Sequence, residues 1–184
     1  MTTMTAIRLE DFGAPEVLFP STIPVPDVPA GWVRIRVGYC GVCRHDLLTR
    51  AGKFPRAIRP LTLGHQVSGV IDAVGEGVTD FSPSQRVMSM IFSGCGECAN
   101  CSTGNQSLCS VVTPKFLGED LDGGYAEACL VDERFAARIP EGCDPVEVAP
   151  ILCAGVTVYK GLKVTEAKPG DWVVISGIGG LGHM

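Results

Sequence analysis

Apolar residues in this chain fall into short alternating or continuous runs cut by glycine and proline, a spacing that predicts strands more than long helices. A first strand is expected over Met4–Leu9 and is ended by Gly13 and Pro15. Pro20, Pro24, Pro26 and Pro29 predict an extended connector, because proline fixes φ and cannot donate to a ladder. Trp32–Cys40 alternates, with Val33, Ile35, Val37 and Tyr39 on one face and Arg34 and Arg36 on the other, which predicts a half-buried strand. A short helix is expected to start in the following Gly41–Leu48 segment. Further strands are predicted in the glycine-bounded run Leu63–Val78, over Gln85–Ile91, and over Gly123–Val131. Together these runs predict an irregular barrel.

After Pro140 the pattern changes. Asp144, Pro145 and Glu147 form a helix start, with an N-cap, a proline at the first helical position and an acid in the first turn. The helix is expected to break at Pro150 and to resume through Tyr159 and Leu162. Trp172–Ser176 reads as a buried strand, and Gly177-Ile-Gly179-Gly180-Leu-Gly182 follows it directly. A glycine run after a strand is the context of a dinucleotide-binding turn, although a flexible glycine tail has the same composition.

Composition narrows the function. The chain has 184 residues, 46% of them hydrophobic, with 23 glycines and 13 prolines, a net charge of -5 and a pI near 5.2. Acidity argues against nucleic acid or anionic membrane as a partner. No run is expected to reach the roughly 18 apolar residues of a membrane span. The Met1–Thr5 start lacks the basic and apolar regions of a secretion signal, so a cytoplasmic, reducing setting is expected. In that setting nine cysteines suggest metal rather than disulfides.

Four of them, Cys95, Cys98, Cys101 and Cys109, have the spacing C-x2-C-x2-C-x7-C inside a lobe spanning 94–110. Four thiolates complete a tetrahedral zinc and leave no open position, so this ion would be structural; a disulfide pair or free thiols are the alternatives. Cys43, His65 and Cys153 each lie beside glycine near the end of an apolar segment. Three such ligands with an open fourth position would suit a catalytic zinc, and spacing alone equally allows three core residues.

The segments Gly41-Val-Cys43-Arg44-x-Asp46, Gly64-His65-x-x-Gly69, the four-cysteine lobe, Ala149-Pro-Ile-Leu-Cys153-Ala-Gly-Val-Thr157 and Gly177–Gly182 resemble, in order, those of zinc-containing medium-chain alcohol dehydrogenases. The stretch around Cys153 resembles the yeast and bacterial tetrameric branch most. The resemblance implies a mostly β chain with some α: a GroES-like β-barrel domain over 1–143, then interdomain helices and the start of a Rossmann domain over 144–184. It implies a catalytic zinc on Cys43, His65 and Cys153. It implies Asp46 orienting the zinc histidine, Arg44 at the cofactor pyrophosphate and Thr157 near the nicotinamide. Gly177, Gly179, Gly180 and Gly182 would then bind NAD or NADP, and Ile91 and Phe92 would line a pocket for an alcohol or aldehyde. A homo-oligomer, dimer or tetramer, is implied for the whole enzyme. A polyol or formaldehyde dehydrogenase of the same superfamily is the alternative activity, and a non-catalytic zinc-stabilised module the alternative class. Three residues depart from the family. Gln66 stands where glutamate usually follows the zinc histidine, His45 where a Ser or Thr usually relays the proton, and Leu48 where a histidine often ends the relay. His45 is therefore a candidate for a one-step relay, with packing or cofactor binding as the alternative role.

Overall fold

The computed structural model describes residues 2–54 and 56–184, and the side chains of all of these except 92 and 93. In chain order its elements are β1 (Thr3–Leu9), β2 (Leu18–Pro24), β3 (Trp32–Gly41), α1 (Arg44–Arg50), β4 (Leu61–Thr62), β5 (Gln66–Val74), β6 (Arg86–Ser89), β7 (Phe92–Ser93), α2 (Ala99–Ser102), β8 (Lys115–Phe116), β9 (Ala128–Asp132), β10 (Ala136–Arg138), α3 (Pro145–Val148) and α4 (Val156–Val164). The strands form a five-stranded antiparallel sheet in the order β10-β6-β5-β3-β9, a three-stranded sheet β2-β1-β4 and the pair β7-β8.

The main core lies on the inner face of the five-stranded sheet. There Val33 and Ile35 of β3 meet Val67 and Ile71 of β5, Val87 of β6 and Val131 of β9. A second cluster, Leu9, Leu61 and Leu63, closes the smaller sheet. The alternation predicted for β3 holds as far as Val37. A register shift between Val37 and Tyr39 then turns the strand, so that Tyr39 is 49% exposed and Cys40 packs on the core instead. One extra residue in a strand reverses the faces of everything after it.

Two sequence expectations fail for reasons of pairing. The proline-rich stretch is in part a strand: β2 lies at the sheet edge, with Pro20 opposite Ile7 and Pro24 opposite Thr3. An edge strand tolerates proline because one side of it makes no ladder bonds. Conversely, Trp172–Ser176 is not a buried strand. Trp172 is 99% and Val174 94% exposed, because no other strand of the described residues runs alongside to pair with it.

The helix start was legible: the Asp144 carboxylate accepts from the Val146 N–H at 2.8 Å, with Pro145 at the first helical position. The α-helix is interrupted where the break was expected: α3 ends at Val148, just before Pro150. The proline has no N–H for the ladder, and the chain widens into a π-turn over Ile151–Gly155 before α4. By length and composition alone the run Pro145–Val164, 20 residues, could cross a membrane, which the sequence reading did not anticipate. Instead its N-terminal part docks on the barrel, where Val148 packs with Met88 and Ile139.

Candidate metal centres

Three distant segments converge beside the open end of the five-stranded sheet. Cys43 is the N-cap of α1, where β3 ends. His65 lies just before β5 and is 1% exposed. Cys153 sits inside the π-turn. The ligand atoms of these three residues all lie within 4.8 Å of one another, and His65 Nε2 is 3.3 Å from Cys153 Sγ. Gly64 permits the approach: its φ of +95° suits glycine alone, and a Cβ there would sit 2.6 Å from the Tyr125 ring.

Asp46, 3% exposed, sits behind this set. Its Oδ1 faces His65 Nδ1 at 3.1 Å, so that Nδ1 carries the proton and Nε2 is turned toward the two sulfurs. Its Oδ2 accepts from the Cys43 backbone N–H at 2.8 Å and from the Tyr125 hydroxyl at 2.9 Å. One carboxylate thus fixes both the backbone of Cys43 and the imidazole of His65. Burial works against its charge, but hydrogen bonds from His65, the Cys43 N–H and Tyr125 hold its pKa below the usual carboxylate range. Burial would likewise lower the pKa of His65, yet hydrogen bonds to Asp46, Cys153 and Cys43 raise it to about 11. Cys43 is shifted down, chiefly by its hydrogen bond with His65. Without a metal the set therefore favours a Cys43 thiolate beside a protonated His65, and a divalent cation taken up there would displace the proton from Nε2.

A cleft of about 890 Å³ opens over these residues. Cys43 and Cys153 line it, together with Arg44, His45, Gln66, Ile91, Thr157, Gly177, Gly179, Gly180 and Gly182. Every residue singled out from the sequence for cofactor contact therefore borders one cavity. The Phe92 side chain lies outside the described residues. The Thr157 hydroxyl is bonded to the Cys153 carbonyl at 2.7 Å, which ties it to the π-turn. Gln66 is 6% exposed, and its amide packs against Gly41. His45 stacks on Phe54 with ring centroids 4.4 Å apart and meets His65 edge-on at 5.4 Å. Its Nε2 is 2.8 Å from the carboxylate of Glu119, which is 2% exposed and also paired with Arg56.

Glu119 and Tyr125 are neighbours of the site that the sequence did not reveal. Each acts on a residue more than 70 positions away, and a buried acid has the same local signature as a surface one. The aromatic in the Gly123-Gly124-Tyr125 turn was the one available signal.

The second cluster is local. The sulfurs of Cys95, Cys98, Cys101 and Cys109 lie within 4.8 Å of one another, and Cys95 and Cys101 are 3.8 Å apart. Two bonds of ~2.3 Å at a tetrahedral angle separate their sulfurs by ~3.8 Å, so the spacing fits zinc. None of the nine cysteines is in a disulfide. Backbone N–H groups point at the sulfurs: Cys98 N–H at Cys95 Sγ, 3.3 Å, and Val112 N–H at Cys109 Sγ, 3.4 Å. Such donors hold the Cys98 thiol down to about 5 and lower that of Cys109, while burial pushes Cys101 up to about 12. Arg134 anchors the lobe through the Cys95 carbonyl at 2.6 Å.

Comparison with known proteins places the chain in a lineage. The chain is 44% identical over 183 residues to an alcohol dehydrogenase of Moraxella sp. (strain TAE123), a match covering 98% of this chain and 53% of that protein. It superposes on the crystal structure of an NAD-dependent alcohol dehydrogenase with a TM-score of 0.85 at 33% identity, covering 91% of this chain and 49% of that one. It also superposes on a cobalt- and zinc-bound thermostable alcohol dehydrogenase from Pyrobaculum aerophilum with a TM-score of 0.87 at 29% identity, covering 92% and 51%. The chain thus spans about half the length of the curated relatives it matches. Residues 29–141 match the family model of the alcohol dehydrogenase GroES-like domain. That segment carries the four-cysteine lobe and two of the three converging donors, and the chain accordingly belongs to the alcohol dehydrogenase family.

Proposed function

We propose that this chain is the metal-binding part of a zinc-dependent alcohol dehydrogenase, which moves hydride between a primary or secondary alcohol and NAD or NADP, and reduces an aldehyde or ketone in reverse. The observation that carries the reading is the meeting of Cys43 Sγ, His65 Nε2 and Cys153 Sγ at the side of a wide cleft. Three borderline donors on an open cavity fit a catalytic zinc, whereas the four-cysteine lobe fits a closed, structural one. When bound, zinc supplies a Lewis acid that lowers the pKa of an alcohol hydroxyl and polarises a carbonyl.

The chain's own residues do the rest. Asp46 keeps the proton on His65 Nδ1 and so leaves Nε2 free as a donor. Gln66 brings a neutral amide to the cleft where a carboxylate would add negative charge. His45 borders the same cleft with Nε2 engaged by Glu119, so its Nδ1 is the atom that would exchange a proton with the substrate hydroxyl. Ile91 offers apolar surface for the alcohol, and Arg44 a charge for the cofactor's pyrophosphate. Residues 1–143 form the barrel part in this reading, and 144–184 lead into the nucleotide-binding part. Because Trp172–Ser176 stands without a sheet, the chain alone has little affinity for NAD, and saturable NAD binding by calorimetry would contradict this.

The reading is tested by loading the chain with Co2+ and following the visible bands of the ion on addition of a primary alcohol. An open three-donor site predicts a spectral shift that disappears in Cys153→Ser. No shift at any alcohol concentration means that both clusters are closed and that the chain is a zinc-stabilised module without chemistry.

A further inference from the structure

Two of the three donors to the Asp46 carboxylate belong to the proposed zinc ligands themselves, but the third, Tyr125, comes from a turn 79 residues away. Resting on the zinc reading above, we infer that Tyr125 is a positioning residue: its hydroxyl fixes the rotation of the Asp46 carboxylate while its turn fixes the backbone before His65, and together they aim the imidazole at the metal.

Two contacts carry this. The first is the hydroxyl, which donates to Asp46 Oδ2 at 2.9 Å. The same oxygen takes the Cys43 N–H at 2.8 Å, so the carboxylate cannot turn without losing both bonds, and Oδ1 stays directed at His65 Nδ1, 3.1 Å away. Without the phenol, Oδ2 keeps one donor from the end of a short helix, and the carboxylate gains freedom to rotate. The second contact is the turn. Gly123, Gly124 and Tyr125 donate their N–H groups to the carbonyls of Thr62, Gly64 and Leu63 at 2.7, 2.7 and 3.0 Å. These carbonyls belong to the three residues preceding His65. The Tyr125 ring then lies so close to Gly64 that a Cβ there would come within 2.6 Å of it. Burial and the neighbouring Asp46 charge push the phenol above its usual range, which keeps it a donor. Residue 125 thus bears on His65 twice, through the backbone of Leu63 and Gly64 before it and through the carboxylate that faces its imidazole.

The test is Tyr125→Phe, which keeps the ring and its contact with Gly64 and removes only the hydroxyl. Tyr39→Phe, at an exposed tyrosine, is the control. Each chain is stripped with chelator and titrated with Co2+, and Cys153→Ala identifies which absorption bands belong to the three-donor site. The expected result is that Tyr125→Phe weakens that site on the order of tenfold and shifts its bands, while the four-cysteine bands and the thermal midpoint stay in place. Equal affinity and identical bands in Tyr125→Phe and the unaltered chain would overturn the inference. A weakening equal at both sites, or a collapse of the thermal midpoint, would assign Tyr125 to general stability and also overturn it. Should Cys153→Ala remove no bands from the unaltered chain, the zinc reading itself fails, an outcome distinct from the others.

Discussion

Replacing Asp46 by asparagine changes one atom at the point where the proposed metal site is held together. Aspartate presents two acceptors to three donors, the buried His65 Nδ1 and the half-buried Cys43 N–H and Tyr125 hydroxyl. Asparagine has one acceptor and one donor group. Its best pose turns the carbonyl toward Cys43 and Tyr125, keeping two bonds without the charge, and points the NH2 at the Nδ1–H of His65. That donor then has no partner at a position 3% exposed or less. Losing one charge-assisted bond and stranding a buried donor costs about 2–3 kcal/mol. His65 can escape by moving its proton to Nε2, but that removes the lone pair the metal needs. Metal affinity at the three-donor site is therefore expected to fall ~10–100-fold, while the four-cysteine site is unaffected. The assays are urea unfolding of the chelator-treated chain and zinc competition with a chromophoric chelator. Unchanged stability together with unchanged zinc affinity would refute the claim that Asp46 orients His65.

Other consequences are as direct. Cys101→Ala removes a sulfur from the lobe and is expected to cost one bound zinc and to make 94–110 the first site of proteolysis, with the barrel intact; mass mapping of the cleavage products checks this. The buried Cys40 thiol is raised from 9.0 to about 12, first by burial and then by the Asp46 charge, so the folded chain holds a proton that the unfolded chain loses. Stability is accordingly expected to fall as pH rises from about 9 toward about 12, and Cys40→Ala, followed by alkaline unfolding, should flatten that slope. In a protein carrying this chain at the length of its relatives, His45→Phe keeps the stack on Phe54 but removes the ring nitrogens, and alcohol oxidation is expected to slow ~100-fold with an altered pH profile. An unchanged rate and profile would remove the relay role.

What could be read from the chain depended on how far apart the partners lie. The lobe was legible because all four sulfurs fall between Cys95 and Cys109, where ligand spacing is itself the signal. Strands β1, β3, β5, β6 and β9 were legible too, since alternation is a local property, whereas β4, β7, β8 and β10 have only two or three residues each, too few to show it. The exceptions have physical causes. At Tyr39 a register shift inverted the faces. In β2, prolines that forbid a central strand are compatible with an edge. At Trp172 a run with strand propensity lacks the neighbour that would make it one. The three-donor site could be assembled only through family resemblance, because Cys43, His65 and Cys153 meet through the fold and not through spacing. Glu119 had no local signature at all, and Tyr125 only that of an aromatic in a glycine turn. Their roles come from the turn that brings residues 116–125 back against the start of α1 and the approach to β5.

Native mass spectrometry of the zinc-loaded chain counts its ions directly. Two distinct donor sets predict two zinc ions per chain, with Cys153→Ser keeping one and Cys101→Ala keeping the other. A single ion in the unaltered chain, retained in Cys153→Ser, would mean that the sulfurs and imidazole of residues 43, 65 and 153 hold no metal, and the case for alcohol chemistry in this chain would be contradicted.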